Sequence, residues 1–134
     1  MTADPLTLPR KAGLVLRSWY WFAATWIHLR REPIPDVVAR LRRAGRPAGF
    51  VVRPVRLGRI VGRSLGVGPV RARCLFTSMV LYRLLRAQGL EPELVIGLPT
   101  EPRDKDAHAW VELDGRDVGP PPGRGRHEEL ARYA

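Results

Sequence analysis

CLFTSMVLYRLLRAQGLEPELVIGL, residues 74–98, and DAHAWVELDGRDV, residues 106–118, decide the fold. The first stretch opens on Cys74 and meets no Gly or Pro until Gly89. Its apolar residues and strong helix formers predict a helix over 74–88, stopped by the glycine. Leu94-Val95-Ile96 then reads as a short buried strand. In the second stretch His108–Leu113 alternates apolar with polar, the period of a strand. Asp114-Gly115 is a two-residue hairpin signal, and Arg116–Val118 returns beside the first strand. Such a turn pairs Glu112 with Asp117. Gly119-Pro120-Pro121-Pro122-Gly123 breaks regular structure, and residues 127–133 are expected to form a last short helix. The fold class is therefore α+β, with a helix packed on a small antiparallel sheet of three strands.

Upstream the chain is helical. Residues 1–9 read as an arm and residues 11–31 as one helix. Glu32-Pro33-Ile34-Pro35 stops that helix, because proline cannot continue the hydrogen-bond ladder. Asp36 suits the N-terminus of the next helix, whose apolar side is Val37, Val38 and Leu41, and Gly45 suits its end. Residues 46–54 read as a linker. Val55, Ile60, Val61 and Leu65 recur at helical spacing, although Gly58 and Gly62 weaken that helix. Residues 99–106 form a polar loop. No internal repeat is present. The layout is one domain over residues 1–134, with a helical part over 1–69 and a core over 70–134.

The chain has 134 residues, 45% of them hydrophobic, which suits one globular core and excludes disorder. The formal net charge is +10. It is lopsided: residues 1–73 hold 15 Lys+Arg against 3 Asp+Glu, and residues 74–134 hold 8 against 10. The excess is mostly Arg, spread singly along helices. A basic front half fits an acidic partner, and equally a solvated helix face. Aromatics interleaved with Arg on strands are missing, which argues against nucleic-acid binding. Trp19–Leu29 is apolar but too short to span a bilayer. It is expected to be a core helix, with a membrane-surface or partner-facing helix as the lesser reading, since Arg17, Arg30 and Arg31 flank its tryptophans. The residues after Met1 do not resemble a signal peptide. A sole cysteine excludes an intrachain disulfide and fits a reducing, cytoplasmic setting. His and Cys lack metal-ligand spacing, so neither a metal nor a cofactor is expected.

Cys74 stands at the start of its helix, after Arg71 and Arg73. The helix dipole and nearby guanidinium groups favour a thiolate there. The free N–H groups of that first turn can hold an oxyanion. Of His28, His108 and His127, only His108 opens a strand after a polar loop, which suits a catalytic base. Trp110 shares its face and either walls a cleft or fills the core. Ser78 lies one turn beyond Cys74, as a supporting or a packing residue. Glu112 reads as a structural strand residue.

These residues carry a resemblance. Cys74-Leu75 opening a helix, Tyr82–Leu85, Gly89, Leu94–Gly97, His108–Glu112 and Asp114-Gly115 together resemble the transglutaminase-like cysteine peptidases of lasso-peptide biosynthesis, which remove the leader from a ribosomally made precursor. The resemblance covers roughly residues 70–133 and extends to the first 70 residues by association only. It implies a transglutaminase-like, papain-like core with Cys74 as nucleophile and His108 as base and then acid. It also implies three partners: the precursor's leader peptide, a small leader-recognition protein and, further downstream, the lasso cyclase. The family's orienting Asp often lies twelve residues beyond the His, a position held here by Pro120. Asp117 is then the nearest carboxylate on the returning strand, although a regular hairpin keeps it four residues from His108, ~13 Å away. A bulge, a shifted register or a backbone carbonyl are the alternatives for orienting His108. Two competing readings stand beside a peptidase: a non-catalytic adaptor of the same fold and a basic nucleic-acid-binding module.

Overall fold

A computed structural model gives the fold, describing residues 8–42, 52–65, 74–99, 108–119 and 127–134. Four helices precede a four-stranded antiparallel sheet: α1 (Leu8–Leu29), α2 (Ile34–Arg42), α3 (Pro54–Leu65), α4 (Cys74–Ala87), β1 (Glu93–Pro99), β2 (His108–Leu113), β3 (Arg116–Gly119) and β4 (His127–Tyr133). The strand order is β3-β2-β1-β4. The α+β class read from the sequence is the one observed.

Helix ends follow their local chemistry. Pro9 and Pro35 sit in the first turns of α1 and α2, where a missing N–H costs nothing. So α2 begins within the proline segment that ends α1, ahead of Asp36, which lies in its first turn and complements the helix dipole. At the end of α4 the Gly89 N–H donates to the Arg86 carbonyl and the Leu90 N–H to that of Leu85, with Gly89 at φ 81°. That is a Schellman stop, which needs the left-handed backbone that glycine adopts freely. The turn between β2 and β3 has Asp114 at φ 52° and Gly115 at φ 78°, the two positive angles of a type I′ hairpin. The positions read as Gly45, the 46–54 linker up to Val51, the Gly66–Pro69 stop, the loop over residues 100–106 and the proline run after Gly119 lie outside the described residues.

The core lies between the helices and one sheet face. Val37, Val38 and Leu41 of α2, Leu57, Val61 and Leu65 of α3, and Met79, Leu81 and Leu85 of α4 are buried against Leu94, Val111 and Val118 of the sheet. α1 joins through Leu14, with Trp21 under the Arg83 guanidinium at 4.6 Å and Phe22 edge-on to Phe76 at 5.5 Å. α3 approaches β3 so closely that a Cβ on Gly58 would lie 2.2 Å from the Val118 carbonyl oxygen. The glycine read as a weakness in α3 is thus a contact point.

One expectation is overturned. Residues 127–133 form β4, a strand and not a helix, and the sheet has four strands where three were expected. Glu128, Glu129 and Ala131 are good helix formers, but β1 offers an open edge, and β4 pairs with it from Pro99↔His127 to Leu94↔Tyr133. The ladder's register shifts between Ile96 and Gly97 on β1, and Leu130 stands in the resulting bulge, exposed. Backbone hydrogen bonds and the packing of Tyr133 on the core outweigh local propensity here.

Candidate active site

Cys74 is the first residue of α4. It therefore stands where backbone N–H groups lack partners inside the helix and the dipole is positive. α4 packs on β2 and β1, and His108 is the first residue of β2, opposite Gly97 of β1. The two candidates are thus the opening residues of two elements in contact.

His108, Trp110 and Glu112 alternate along β2 and share one face. The other face carries Val111 into the helical core. The His108 ring is half-buried, its Nε2 is screened from solvent, and it runs nearly parallel to the Trp110 indole (26°, centroids 6.2 Å apart). Trp110 is wholly buried. Its ring crosses Gly97, where a Cβ would come within 2.7 Å of the ring carbons. Gly97 is small because Trp110 needs that space.

Trp110 is fixed at its other end as well. Its Nε1–H donates to Glu112 Oε2 at 2.8 Å, and Glu112 Oε1 accepts from Arg132 at 3.2 Å. The Arg132 guanidinium also pairs with Glu93 and Glu129. Hydrogen bonds to these carboxylates hold Arg132 protonated far above its ordinary range, against the opposing cost of burial. A buried Glu112 is therefore neutralised by a cation from β4. The sequence reading of Glu112 as structural fits this arrangement. It gave no place to Arg132, whose only sequence signal is being a lone cation in a segment read as a helix, with Glu93 and Glu112 distant in the chain.

Asp117 pairs with Glu112 in the hairpin register, as the turn chemistry predicts. Its Oδ1 accepts from the Gly119 N–H at 2.8 Å, a local bond that caps the end of β3. A bulge does occur, between Val111 and Glu112, and it moves Gly119 opposite Val111. It leaves Asp117 opposite Glu112, four strand positions from His108 and ~13 Å along the strand. Ser78 is buried one turn into α4, and its Oγ has no hydrogen-bond partner among the described residues.

A sequence comparison with protein families matches the Transglutaminase-like superfamily over residues 14–132. The chain belongs to the transglutaminase-like superfamily. The match begins well ahead of the motif stretch at Cys74, so α1 from Leu14 onward, α2 and α3 fall inside the transglutaminase-like region. That superfamily includes cysteine peptidases and also non-catalytic members. No curated protein and no solved structure matches the chain.

Proposed function

We propose that this transglutaminase-like protein is a cysteine peptidase that removes the leader from a lasso-peptide precursor, with Cys74 as nucleophile and His108 as its acid–base partner. The observation that carries the reading is the placement of a sole cysteine at the first residue of α4, packed on the strand that His108 opens, within a superfamily match over residues 14–132. In the proposed cycle the Cys74 thiolate attacks the scissile carbonyl carbon, and its C=O pair moves onto oxygen. First-turn N–H groups of α4 receive that oxyanion. The tetrahedral intermediate collapses and breaks the C–N bond, and imidazolium His108 gives its proton to the departing amine. Neutral His108 then takes a proton from water, whose oxygen attacks the thioester. The leader leaves with a new carboxylate and the thiolate is restored.

The reading has a direct test. Cys74→Ala is expected to abolish cleavage of a precursor peptide while the far-ultraviolet dichroism stays unchanged. His108→Ala should cost about three orders of magnitude or more, the scale set by removing a member of a nucleophile–base pair. Wild-type alkylation of Cys74 by iodoacetamide should stay rapid below pH 7, and in His108→Ala it should need pH above 8. Asp117 is the proposed third residue, and because it stands four strand positions from His108, Asp117→Asn should lower the rate less than tenfold. Wild-type cleavage by Cys74→Ala would end the peptidase reading. A Cys74 that alkylates only at alkaline pH in the wild type would favour the non-catalytic adaptor. The exposed face of α1 is the proposed seat of the leader-recognition protein, and the site is proposed to act in the cytoplasm.

A further inference from the structure

A cavity of about 640 Å³ opens far from Cys74, between α2, the C-terminal end of α4 and the end of β4. Pro35, Val38 and Ala39 give it an apolar wall, and Arg42, Arg86 and Tyr133 a polar one. The size falls within the range of pockets that hold small ligands or a few peptide residues.

The arginines of these three elements differ in what holds them. Arg40 is clasped by Glu32. Arg132, which also lines the cavity, is held by Glu93, Glu112 and Glu129. Arg83 lies away from the cavity, over the Trp21 ring. Arg42 and Arg86 have no carboxylate partner among the described residues. Among the described residues Arg86 reaches only the carbonyls of Leu90 and Arg42, at 3.5 and 3.4 Å, and its buried Nε has no partner there. These are long bonds for a guanidinium, which donates best at about 2.7–2.9 Å to an anion. Both arginines also bear on the buried Tyr82 phenol, so their charges converge on one region. A half-buried guanidinium with unused donors stands next to an exposed one, beside an apolar wall. A carboxylate adjoining an apolar group satisfies all of these features, and an acidic residue next to an aliphatic one in a peptide is such a ligand.

We infer that the cavity between α2, α4 and β4 is a binding site for an acidic peptide segment, whose carboxylate is received by Arg42 and Arg86 while its apolar neighbour lies on Pro35, Val38 and Ala39. Arg86 is twelve positions beyond Cys74, ~18 Å along α4 at 1.5 Å per residue. The site is therefore separate from the chemistry at Cys74. It extends the peptidase reading by giving the peptide substrate a second hold, but it does not need turnover to be detected.

The test is binding to the Cys74→Ala protein, so cleavage plays no part. The probe is a fluorescein-labelled peptide of alternating Leu and Glu, with the Leu-Gln peptide and inorganic phosphate as comparison ligands. The acidic peptide should saturate, be displaced by its unlabelled form and bind at least tenfold more weakly to Arg42→Gln. Ala39→Trp, which keeps both charges and fills the cavity from an exposed position, should weaken it as much. Arg42 is exposed too, so neither change endangers the fold. Equal binding of the Leu-Gln peptide, or an unchanged affinity in both variants, overturns the proposal. Displacement by millimolar phosphate, with no preference for the peptide, also overturns it and assigns the cavity to free anions. None of these outcomes bears on whether Cys74 cleaves a peptide bond.

Discussion

The Tyr82 hydroxyl is wholly buried in α4 and has no hydrogen-bond partner among the described residues. A buried donor left unsatisfied costs free energy instead of adding it. Burial pushes the phenol's pKa above its ordinary value of 10.0, with the charges of Arg86 and Arg42 acting in the opposite direction. The folded protein therefore holds this proton at a pH where the unfolded chain has begun to lose it. Below pH 10 both states are protonated and the group is neutral to stability. As pH rises past about 10 the unfolded chain ionises first, and stability falls until the folded phenol ionises too. Tyr82→Phe keeps the ring and removes the hydroxyl. It should change stability at pH 7 by less than about 1 kcal/mol, or raise it. It should also shrink the loss of stability between pH 8 and pH 10.5. Urea unfolding of both proteins at those two pH values measures the difference. A larger loss at pH 7 in the variant would mean that the hydroxyl is hydrogen-bonded in solution.

At the scale of elements, two glycines at close approaches to the sheet's residues separate fold from site. Gly58 of α3 meets the Val118 carbonyl, and Gly97 of β1 meets the Trp110 ring, which lies beside His108. Alanine at either position forces a shift, costing about 1–3 kcal/mol. Both Gly58→Ala and Gly97→Ala should therefore lower the melting temperature. Only Gly97→Ala should also disturb the indole beside His108, seen as a changed near-ultraviolet tryptophan band and an altered pH profile of Cys74 alkylation. Identical profiles in the two variants would detach Trp110 from the proposed site. The sequence made part of this layer legible. Cys74 and Gly89 bracket α4, alternation marks β2, and Asp114-Gly115 fixes the hairpin register, because each signal is local. β4 was not legible: its Glu128-Glu129-Leu130-Ala131 run has helix-forming residues and no clean alternation, and it is the open edge of β1 that makes it a strand. Missing β4 also hid Arg132, and with it the Trp110–Glu112–Arg132 chain that steadies the face bearing His108. The close approaches at Gly58 and Gly97 were hidden for the same reason, since a glycine's neighbours across space leave no mark beside it in the chain.

The molecule as a whole is unevenly dressed, and α1 shows it best. Its inner side carries Leu14, Ser18 and Thr25, all buried, while Leu16, Tyr20, Trp26 and Ile27 face outward, Leu16 at 71% and Tyr20 at 65% exposure. The apolar run read as a core helix is thus half core and half surface. No carboxylate occurs from Leu8 to Arg31, whereas Arg10, Lys11, Arg17, Arg30 and Arg31 do, and Arg30 lies over the Trp26 ring at 4.2 Å. No helix among the described residues is long and apolar enough to cross a membrane. Under the proposed function, this exposed apolar side of a helix that carries cations and no carboxylate is the proposed seat of the leader-recognition protein. Energetics distinguish the two sides of this helix. Gln at Leu16, Tyr20 and Ile27 removes surface already in water, so each change should cost less than about 0.5 kcal/mol. Leu14→Ala opens the core and should cost about 2–5 kcal/mol. The triple variant should therefore unfold at nearly the wild-type urea concentration, where Leu14→Ala does not. In a binding assay with the purified recognition protein, the folded triple variant should lose at least tenfold in affinity, since apolar burial at the centre of an interface carries most of its energy. Wild-type affinity in that variant would move the docking surface off α1, leaving its exposed aromatics in need of another partner.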